Sequence, residues 1–285
     1  MGRSRLDTRS IGLDVSLSFA KWLTGMENLH YGDWTGLQVC AANAGTAQVA
    51  YTDRLFTYLP ERPCRILDIG GGAGETARKL IALGHTVEIV IPSAFLADRC
   101  RANAPEAVVH EMPFEAFDGT GPFDVCLFSE SFQYIPMVDS LPRCLSLLAP
   151  DGRIVIADCF RSDAFARDPV RSTVGGGHKI ADYRTTIADL GLAVLREEDI
   201  TEAVAPSVEI EQGMFNVIGH AVTRVDTELT KKKPALRWLL NRGLRLVTNA
   251  RKRERLRQRL MEQTRNRAVF AENNTYIMTA LAPGS

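Results

Sequence analysis

The stretch from Asp68 to Gly74 has the composition of a ligand-binding turn. It contains four glycines, of which Gly70, Gly72 and Gly74 recur at every second position after a short apolar run. Glycine allows a sharp backbone turn and lets a bound group approach closer than a Cβ atom would permit. A helix predicted to begin directly after the turn would point its N-terminal amides at such a group. The alternative interpretation is a tight structural turn without a ligand.

A second group of polar residues, Ser129, Glu130 and Tyr134, follows the apolar run Val125–Phe128. Open α/β sheets bind their ligands at the carboxyl ends of the strands, so these side chains should face a pocket. Glu130 is a candidate general base, or a group that stabilises a cationic intermediate or a protonated substrate. Tyr134 could hydrogen-bond a nucleophile or line an apolar pocket. The alternative for Glu130 is a cap on the next helix.

His178 is the third candidate for chemistry. It follows three consecutive glycines, Gly175 to Gly177, in a segment predicted to be a mobile loop. We consider it a candidate base or substrate contact, with a solvated surface histidine as the alternative. The six cysteines are scattered without a Cys-x-x-Cys pair or a histidine cluster, so we predict reduced thiols and neither a metal site nor a disulfide framework.

Strands and helices alternate along the middle of the chain, and this alternation builds a parallel sheet. The predicted strands are 65–69, 86–91, 108–110, 125–128, 153–157, 192–197 and 275–281. The predicted helices between them are 75–83, 94–104, 138–148 and 180–190. The sequence therefore predicts an α/β fold with a mostly parallel, seven-stranded sheet.

Four segments are predicted in order along the chain. Residues 1–60 form a helical N-terminal cap, and residues 61–224 form the α/β core. Residues 225–270 form a basic helical insertion before the last strand, and residues 271–285 form a final edge strand that completes the core.

The motif Asp68-x-Gly70-x-Gly72-x-Gly74 resembles the first motif of class I S-adenosylmethionine-dependent methyltransferases. Two further stretches resemble that family in the expected order, Glu111–Glu115 before Phe123 and Leu147–Arg153 before a strand. The resemblance implies a Rossmann-like fold and S-adenosylmethionine as cofactor, with Asp68 facing the cofactor's methionine amino group. It also implies cofactor contacts from Gly70, Gly72, Gly74, Phe114, Glu115 and Ser129.

One departure points to a branch of the family. Most members carry an acid at the end of the second strand to hold the ribose, where this chain has Ile91, and Glu88 lies three residues too early. The cyclopropane fatty acid, sterol and small-molecule methyltransferases also lack this acid. Ser93 matches a serine that they use instead, whereas Leu96 stands where they carry glutamine. The resemblance therefore implies a cofactor contact from Ser93.

The loop His30-Tyr31-Gly32-Asp33-Trp34 is similar to a loop that closes over the cofactor in that branch. There Tyr31 would reach the methionine carboxylate, and Trp34 would seal the site against water. The alternative is that the two aromatic residues anchor the cap to the core. Glu130 matches a glutamate of the branch's sterol and small-molecule enzymes, and Tyr134 stands where those enzymes carry histidine.

The chain has 285 residues and no net charge, but residues 231–267 contain 14 Lys or Arg against two acids. Leucines at helical spacing within this segment predict a basic amphipathic helix. It could lie on an anionic membrane surface or pack as a lid on the acidic remainder. Nucleic-acid binding has less support, because no recognised binding module accompanies the charge.

No apolar run reaches the roughly 18 residues of a membrane span, and no signal peptide is evident. We therefore predict a cytoplasmic protein, with peripheral contact to the inner face of a membrane as the alternative. The predicted function is methyl transfer from S-adenosylmethionine to a small, lipophilic acceptor such as a lipid, an isoprenoid or a secondary metabolite. Two alternatives remain: a methyltransferase-like binding protein without turnover, and an RNA methyltransferase that docks through the basic segment.

Overall fold

The computed structural model describes residues 8–165, 174–262 and 265–284. Residues 1–7 of the predicted cap, 166–173 of the predicted core, 263–264 of the predicted insertion and 285 lie outside the described residues.

A seven-stranded sheet in the order β3-β2-β1-β4-β5-β7-β6 forms the centre of the protein. The strands are β1 (Arg65–Ile69), β2 (Thr86–Val90), β3 (Val108–His110), β4 (Phe123–Ser129), β5 (Leu148–Arg161), β6 (Leu192–Asp199) and β7 (Asn274–Pro283). Neighbouring strands from β3 to β5 run parallel, and β7 runs antiparallel to both β5 and β6. This architecture confirms the predicted α/β fold with a mostly parallel, seven-stranded sheet.

The last strand is not an edge strand, which corrects the prediction for residues 271–285. β7 lies between β5 and β6, so that Leu281 pairs with Ile154 on one side and with Val194 on the other. Its residues are buried along almost the whole strand, with Tyr276 and Met278 in one apolar cluster and Ile277 in the other. A strand that is buried on both faces belongs in the interior of a sheet, and β6 takes the edge instead.

Helices cover both faces of the sheet. They are α1 (Thr8–Thr24), α2 (Ala44–Phe56), α3 (Glu75–Ala82), α4 (Ala94–Asn103), α5 (Met137–Leu147), α6 (Ile180–Asp189), α7 (Thr201–Val204), α8 (Pro206–Lys232), α9 (Pro234–Val247), α10 (Ala250–Met261) and α11 (Arg267–Asn273). Leu55, Leu80 and Ala97 bring α2, α3 and α4 into one apolar cluster, whereas Leu141 and Tyr183 bring α5 and α6 into the other. The sheet lies between these two clusters.

The cap is joined to the core by a buried carboxylate, Glu27, between α1 and α2. Its oxygens accept hydrogen bonds from the Arg99 guanidinium at 2.6 and 2.7 Å and from the Asn103 amide at 2.8 Å. Burial alone would raise the pKa of Glu27, but these hydrogen bonds and that from Lys21 lower it to about 2. The cap loop that contains Tyr31 is therefore held over α4 and the glycine turn.

The helices between β6 and β7 begin at Thr201, earlier than the predicted insertion at residues 225–270. α8 runs without a break from Pro206 to Lys232, so residue 225 lies inside a helix and marks no boundary. α10 packs along α8, where Gly219 lies directly against the Leu260 backbone. Within the described ranges, no helix is long and apolar enough to cross a membrane.

Candidate active site

A cavity of about 1150 Å³ opens at the carboxyl ends of the central strands. The glycine turn after β1 and the residues after β2 and β4 form its floor, and the cap loop and α8 form its walls. This is the edge of an open α/β sheet where ligands bind, because the strand order reverses between β1 and β4. Most of the predicted site residues line this cavity. They are Tyr31, Asp68, Gly70, Gly72, Ser93, Phe114, Glu115, Ser129, Glu130 and Tyr134.

The three alternating glycines of the turn, Gly70, Gly72 and Gly74, have different surroundings. All have a positive φ, of 77° at Gly70, 55° at Gly72 and 86° at Gly74, which side chains rarely adopt. A Cβ atom at Gly72 would meet no protein atom within 4 Å, since it would point into the open cavity. A Cβ atom at Gly74 would instead lie 2.9 Å from the Cα atom of Cys100. Gly74 therefore allows α3 to pack against α4, and it does not line the cavity.

Asp68 is the clearest sign of a missing polar partner. Its side chain is 1% exposed, and within the described part of the chain neither carboxylate oxygen has a hydrogen-bond partner. Burial raises the pKa of Asp68 to about 7. A buried carboxylate without a partner costs free energy unless a ligand satisfies it. The site therefore fits a ligand that presents an ammonium group.

The residues after β2 provide no acid for a ribose. Ile91 is buried in the cavity wall, and Ser93 caps the N-terminus of α4, where its Oγ atom accepts a hydrogen bond from the Leu96 amide at 3.4 Å. Glu88 is bound to Arg65 at 2.6 Å and to His110 at 2.8 Å. Both carboxylate oxygens of Glu88 are thus occupied away from the cavity.

Phe114 and Glu115 lie beside this wall in a short 3-10 turn. Phe114 is buried and packs edge-on against Phe128, with ring centroids 6.1 Å apart. Glu115 is exposed at the rim of the cavity. The pair can therefore offer a ligand one apolar surface and one carboxylate.

Glu130 has a strained backbone at the end of β4. Its φ of 57° is the only positive φ of a non-glycine residue in the described ranges. Its carboxylate accepts hydrogen bonds from the Tyr31 amide at 2.6 Å and from the Tyr276 hydroxyl at 3.0 Å. Burial and the nearby charge of Asp158 raise the pKa of Glu130 to about 8, although these hydrogen bonds act to lower it. The cavity therefore contains a carboxyl group that can gain or lose a proton near neutral pH.

A chain of hydroxyl groups supports Glu130 from behind. The hydroxyl of Tyr276 lies 2.7 Å from that of Tyr51, which in turn lies 3.5 Å from Ser129 Oγ. When Tyr276 donates to Glu130, Tyr51 donates to Tyr276. Neither tyrosine was predicted as a site residue from the sequence, because they come from α2 and β7, elements far apart in the chain.

The cap loop contacts both the core and α8. Besides its amide contact with Glu130, Tyr31 packs its ring edge-on against Phe270, with centroids 5.8 Å apart. The Trp34 indole donates a hydrogen bond to Ser207 Oγ at 2.9 Å. These contacts match the anchoring alternative for Trp34, while the indole also lines the cavity. A contact between Tyr31 and the cofactor carboxylate stays a prediction.

The two remaining catalytic candidates occupy different places. Tyr134 lies at the rim of the cavity and is 67% exposed. His178 does not line the cavity; its Nε2 atom lies 2.9 Å from the Ile135 carbonyl and 3.1 Å from that of Phe132. As a donor to these carbonyls, His178 holds the turn after β4, so its position does not support a role as base.

Asp158, on β5, is a buried acid that the sequence analysis did not single out. It has no exposed surface and accepts hydrogen bonds from the Gln133 side chain at 2.9 Å and from its amide at 3.0 Å. Burial raises the pKa of Asp158 to about 7, although its hydrogen bonds lower it. The signal in the sequence that could have identified Asp158 is an acidic residue within an apolar strand. Its role is to position Gln133, which does line the cavity.

We expect the unliganded protein to lose stability as the pH rises from 6.5 to 8. The pKa values of Asp68 and Asp158 are about 7 and that of Glu130 about 8, so these groups bind protons in the folded chain that the unfolded chain releases. The free energy of unfolding should fall by about 3 kcal/mol over this interval. Urea unfolding at fixed ionic strength measures it, and Asp158→Asn should reduce the fall by about 1 kcal/mol. Unchanged or rising stability would contradict the raised pKa values.

A family model described as a methyltransferase domain matches residues 43–196, more than half of the chain. The chain belongs to this family. The match begins in the cap and ends within β6, so it includes the glycine turn, Ser93 and Glu130. The methyltransferase family predicted from the glycine motif is thereby confirmed.

A known protein of similar sequence supports the same family assignment. An uncharacterized methyltransferase of Mycobacterium tuberculosis is 27% identical over 101 residues, which are 34% of this chain and 40% of that protein. This chain therefore matches less than half of that relative's length.

Two solved structures share the fold over nearly the whole chain. The cyclopropane synthase MmaA2 of Mycobacterium tuberculosis is 16% identical, with a TM-score of 0.64, and the match covers 99% of this chain and 100% of that one. The geranyl diphosphate C-methyltransferase of Streptomyces coelicolor A3(2) is 13% identical, with a TM-score of 0.61, and the match covers 97% and 99%. The latter structure contains S-adenosylhomocysteine. These likenesses confirm the Rossmann-like methyltransferase fold.

Proposed function

We propose that this protein transfers a methyl group from S-adenosylmethionine to a small, lipophilic acceptor. The observation that carries the proposal is Asp68, a buried carboxylate without a hydrogen-bond partner at the edge of a cavity that Gly72 leaves open. The cavity exceeds the roughly 300–1,000 Å³ of ordinary small-molecule sites, so it has room for a cofactor and an acceptor together.

We assign the residues that would hold the cofactor from the family motif and from the fact that they line the cavity. Asp68 would accept hydrogen bonds from the amino group, and the backbone at Gly70 and Gly72 would lie against the ligand. Ser93 and Phe114 would contact its nucleoside half. When bound, S-adenosylmethionine supplies an electrophilic methyl group, so the protein needs mainly to align the acceptor and exclude water.

Glu130 is our candidate for proton transfer. A base is needed only where the acceptor carries a proton that must leave when the new bond forms. With a pKa of about 8, Glu130 would be a carboxylate in part of the molecules at neutral pH and could take that proton. With an acceptor that becomes cationic, the same carboxylate would stabilise the positive charge. Tyr134, at the rim of the cavity, would contact the acceptor.

The lipophilic acceptor is supported by the walls of the cavity and by the proteins that share the fold. Leu23, Leu29, Phe95, Ile210 and Met214 give the walls apolar surface. The structural neighbours described above include a cyclopropane synthase and a methyltransferase named for geranyl diphosphate. A lipid, an isoprenoid or an apolar secondary metabolite fits such walls better than a sugar.

Methyl-labelled S-adenosylmethionine tests this proposal. We expect the full chain to transfer label to a component of an organic extract of cells and to leave total RNA unlabelled. Glu130→Gln should reduce turnover by about 100-fold while cofactor affinity stays within a fewfold. Label in RNA would instead support the RNA methyltransferase alternative. Cofactor binding without label in either fraction would support the binding protein without turnover.

We also propose that α9 contacts an anionic membrane surface from which a lipophilic acceptor enters. Leu239, Leu240 and Leu244 lie at helical spacing on α9 and are 45–59% exposed, beside Trp238 at 62%. The exposed residues Lys231 to Lys233 precede them at the end of α8. Both α9 and α10 contact α8, but the apolar side chains Leu239, Leu240 and Leu244 of α9 remain exposed, so that α9 fits a membrane contact better than the lid alternative.

Flotation with vesicles tests the membrane contact. The protein should float with vesicles that contain phosphatidylglycerol and much less with neutral phosphatidylcholine, and raised salt should weaken the binding. Replacing Trp238 and Leu239 by serine should abolish flotation. The matched control is Val138→Ser on α5, since Val138 is 72% exposed on another helix. Equal flotation of both variants would rule out α9 as the contact.

A further inference from the structure

One face of α8 lines the cavity. Ser207, Ile210, Glu211 and Met214 follow the spacing i, i+3, i+4 and i+7, which places them on one side of a helix, and all four line the cavity. This face is apolar at Ile210 and Met214 and charged at Glu211. An acceptor in contact with it would meet both kinds of surface.

Two arginines from the insertion complete this wall. Arg265 is only 7% exposed, and its guanidinium donates a hydrogen bond to Glu211. Its buried Nε atom has no hydrogen-bond partner among the residues that the structure describes. A buried donor without a partner is rare, because it loses its hydrogen bond to water and gains none in return. The position of Arg265 in the cavity wall makes a ligand the available partner.

Arg259 adds a second positive charge at the same place. It is partly buried in the cavity wall and lies over the Phe215 ring, 5.6 Å from its centroid. Within residues 8–165, 174–262 and 265–284, no carboxylate forms an ion pair with it. Burial and the repulsion of Arg265 lower its pKa. This part of the wall thus combines two guanidinium groups with the carboxylate of Glu211, which forms its ion pair with Arg265, so that positive charge is in excess there.

We propose that Arg259 and Arg265 bind an anionic group of the acceptor, a phosphate or a carboxylate, while Ile210 and Met214 contact its apolar part. This inference rests on the proposed function, because it names the chemical class of the acceptor: an amphiphilic anion and not a neutral lipid or sterol. Guanidinium groups suit this task, since they form paired hydrogen bonds with either kind of oxyanion.

Calorimetry with three eight-carbon probes tests the proposal. Octyl phosphate, octanoate and octanol have the same apolar chain and differ in the head group, and each is titrated into the protein saturated with S-adenosylhomocysteine. We expect at least one anionic probe to bind about tenfold or more tighter than octanol, as one charge-assisted hydrogen bond would give. Comparing the affinities of octyl phosphate and octanoate shows whether the site binds a phosphate or a carboxylate more tightly. Equal affinity for all three probes would overturn the proposal.

Variants decide whether these arginines are responsible. Arg259→Gln and Arg265→Gln should each reduce the preference for the anion about tenfold, and Glu211→Gln should increase it. The matched control is Arg257→Gln: Arg257 lies on the same helix as Arg259 but is bound to Glu254 and Glu262 and does not line the cavity. If Arg265→Gln unfolds, Arg259→Gln and Glu211→Gln still give the answer. An unchanged preference in these variants would overturn the proposal.

Failure of this inference is separable from failure of the proposed function. Binding of S-adenosylhomocysteine and turnover with labelled S-adenosylmethionine report on the proposed function alone. If the protein binds the cofactor and transfers label but binds octanol, octyl phosphate and octanoate with equal affinity, the proposed function stands and only the anionic acceptor is overturned.

Discussion

Gly72→Val is expected to abolish cofactor binding and to leave the fold largely intact. The valine side chain would enter open space in the cavity where the ligand must lie, since no protein atom is within 4 Å of its Cβ position. We expect the affinity for S-adenosylhomocysteine to fall by more than about 100-fold, because the bulk would displace the ligand from the turn. Calorimetry measures the affinity, and circular dichroism confirms the fold.

The control for Gly72→Val must carry the same backbone strain. Gly191, with a φ of 62°, also has open space around its Cβ position and lies outside the cavity, between α6 and β6. Gly191→Val should therefore lose a similar amount of stability and keep full cofactor affinity. Normal binding by Gly72→Val would show that the turn is structural only.

The affinity for S-adenosylhomocysteine is expected to be about tenfold lower at pH 6 than at pH 8. The pKa of Asp68 in the unliganded protein is about 7, because the carboxyl is buried without a partner. A positively charged amino group would favour the carboxylate, so below pH 7 a proton must leave Asp68 before the ligand is held. Binding at pH 6 should therefore release close to one proton, which calorimetry in buffers of different ionisation enthalpy measures.

Two isosteric variants separate Asp68 from other titrating groups. Asp68→Asn should lower the affinity by about 100-fold at pH 8 and remove the pH dependence, because the amide cannot ionise. Asp158→Asn should keep the pH dependence, since Asp158 is buried with a pKa also near 7 but does not line the cavity. A pH dependence that persists in Asp68→Asn would assign the proton to a different group.

The sequence predicted the central elements well because their signals are local. β1 and β3 have the predicted bounds, since each is a short apolar run between turn residues. β5 is longer than the predicted 153–157, because pairing with β4 and β7 extends it to Leu148–Arg161. The position of β7 inside the sheet could not be predicted. Its antiparallel pairing with β5 and β6 depends on long-range contacts, which the alternation of strands and helices along the chain does not determine.

The candidate site likewise contains residues that were predictable from the sequence and residues that were not. Asp68 and Gly72 were predictable, because a turn after a strand places them within seven residues of one another. The support of Glu130 by Tyr276 was not, because 146 residues separate the two. Arg265 and Arg259 appeared in the sequence only as members of a basic segment. Their place in the cavity wall depends on α10 and α11 folding back on α8.

Titration of the full chain with S-adenosylhomocysteine at pH 8 tests the central claim most directly. We expect one equivalent to bind, with a Kd between about 1 µM and 1 mM, as for ordinary enzyme ligands. NAD, whose binding turns have a different glycine spacing, serves as the matched control and should give no heat. A folded protein that gives no heat with millimolar S-adenosylhomocysteine or S-adenosylmethionine would contradict the account.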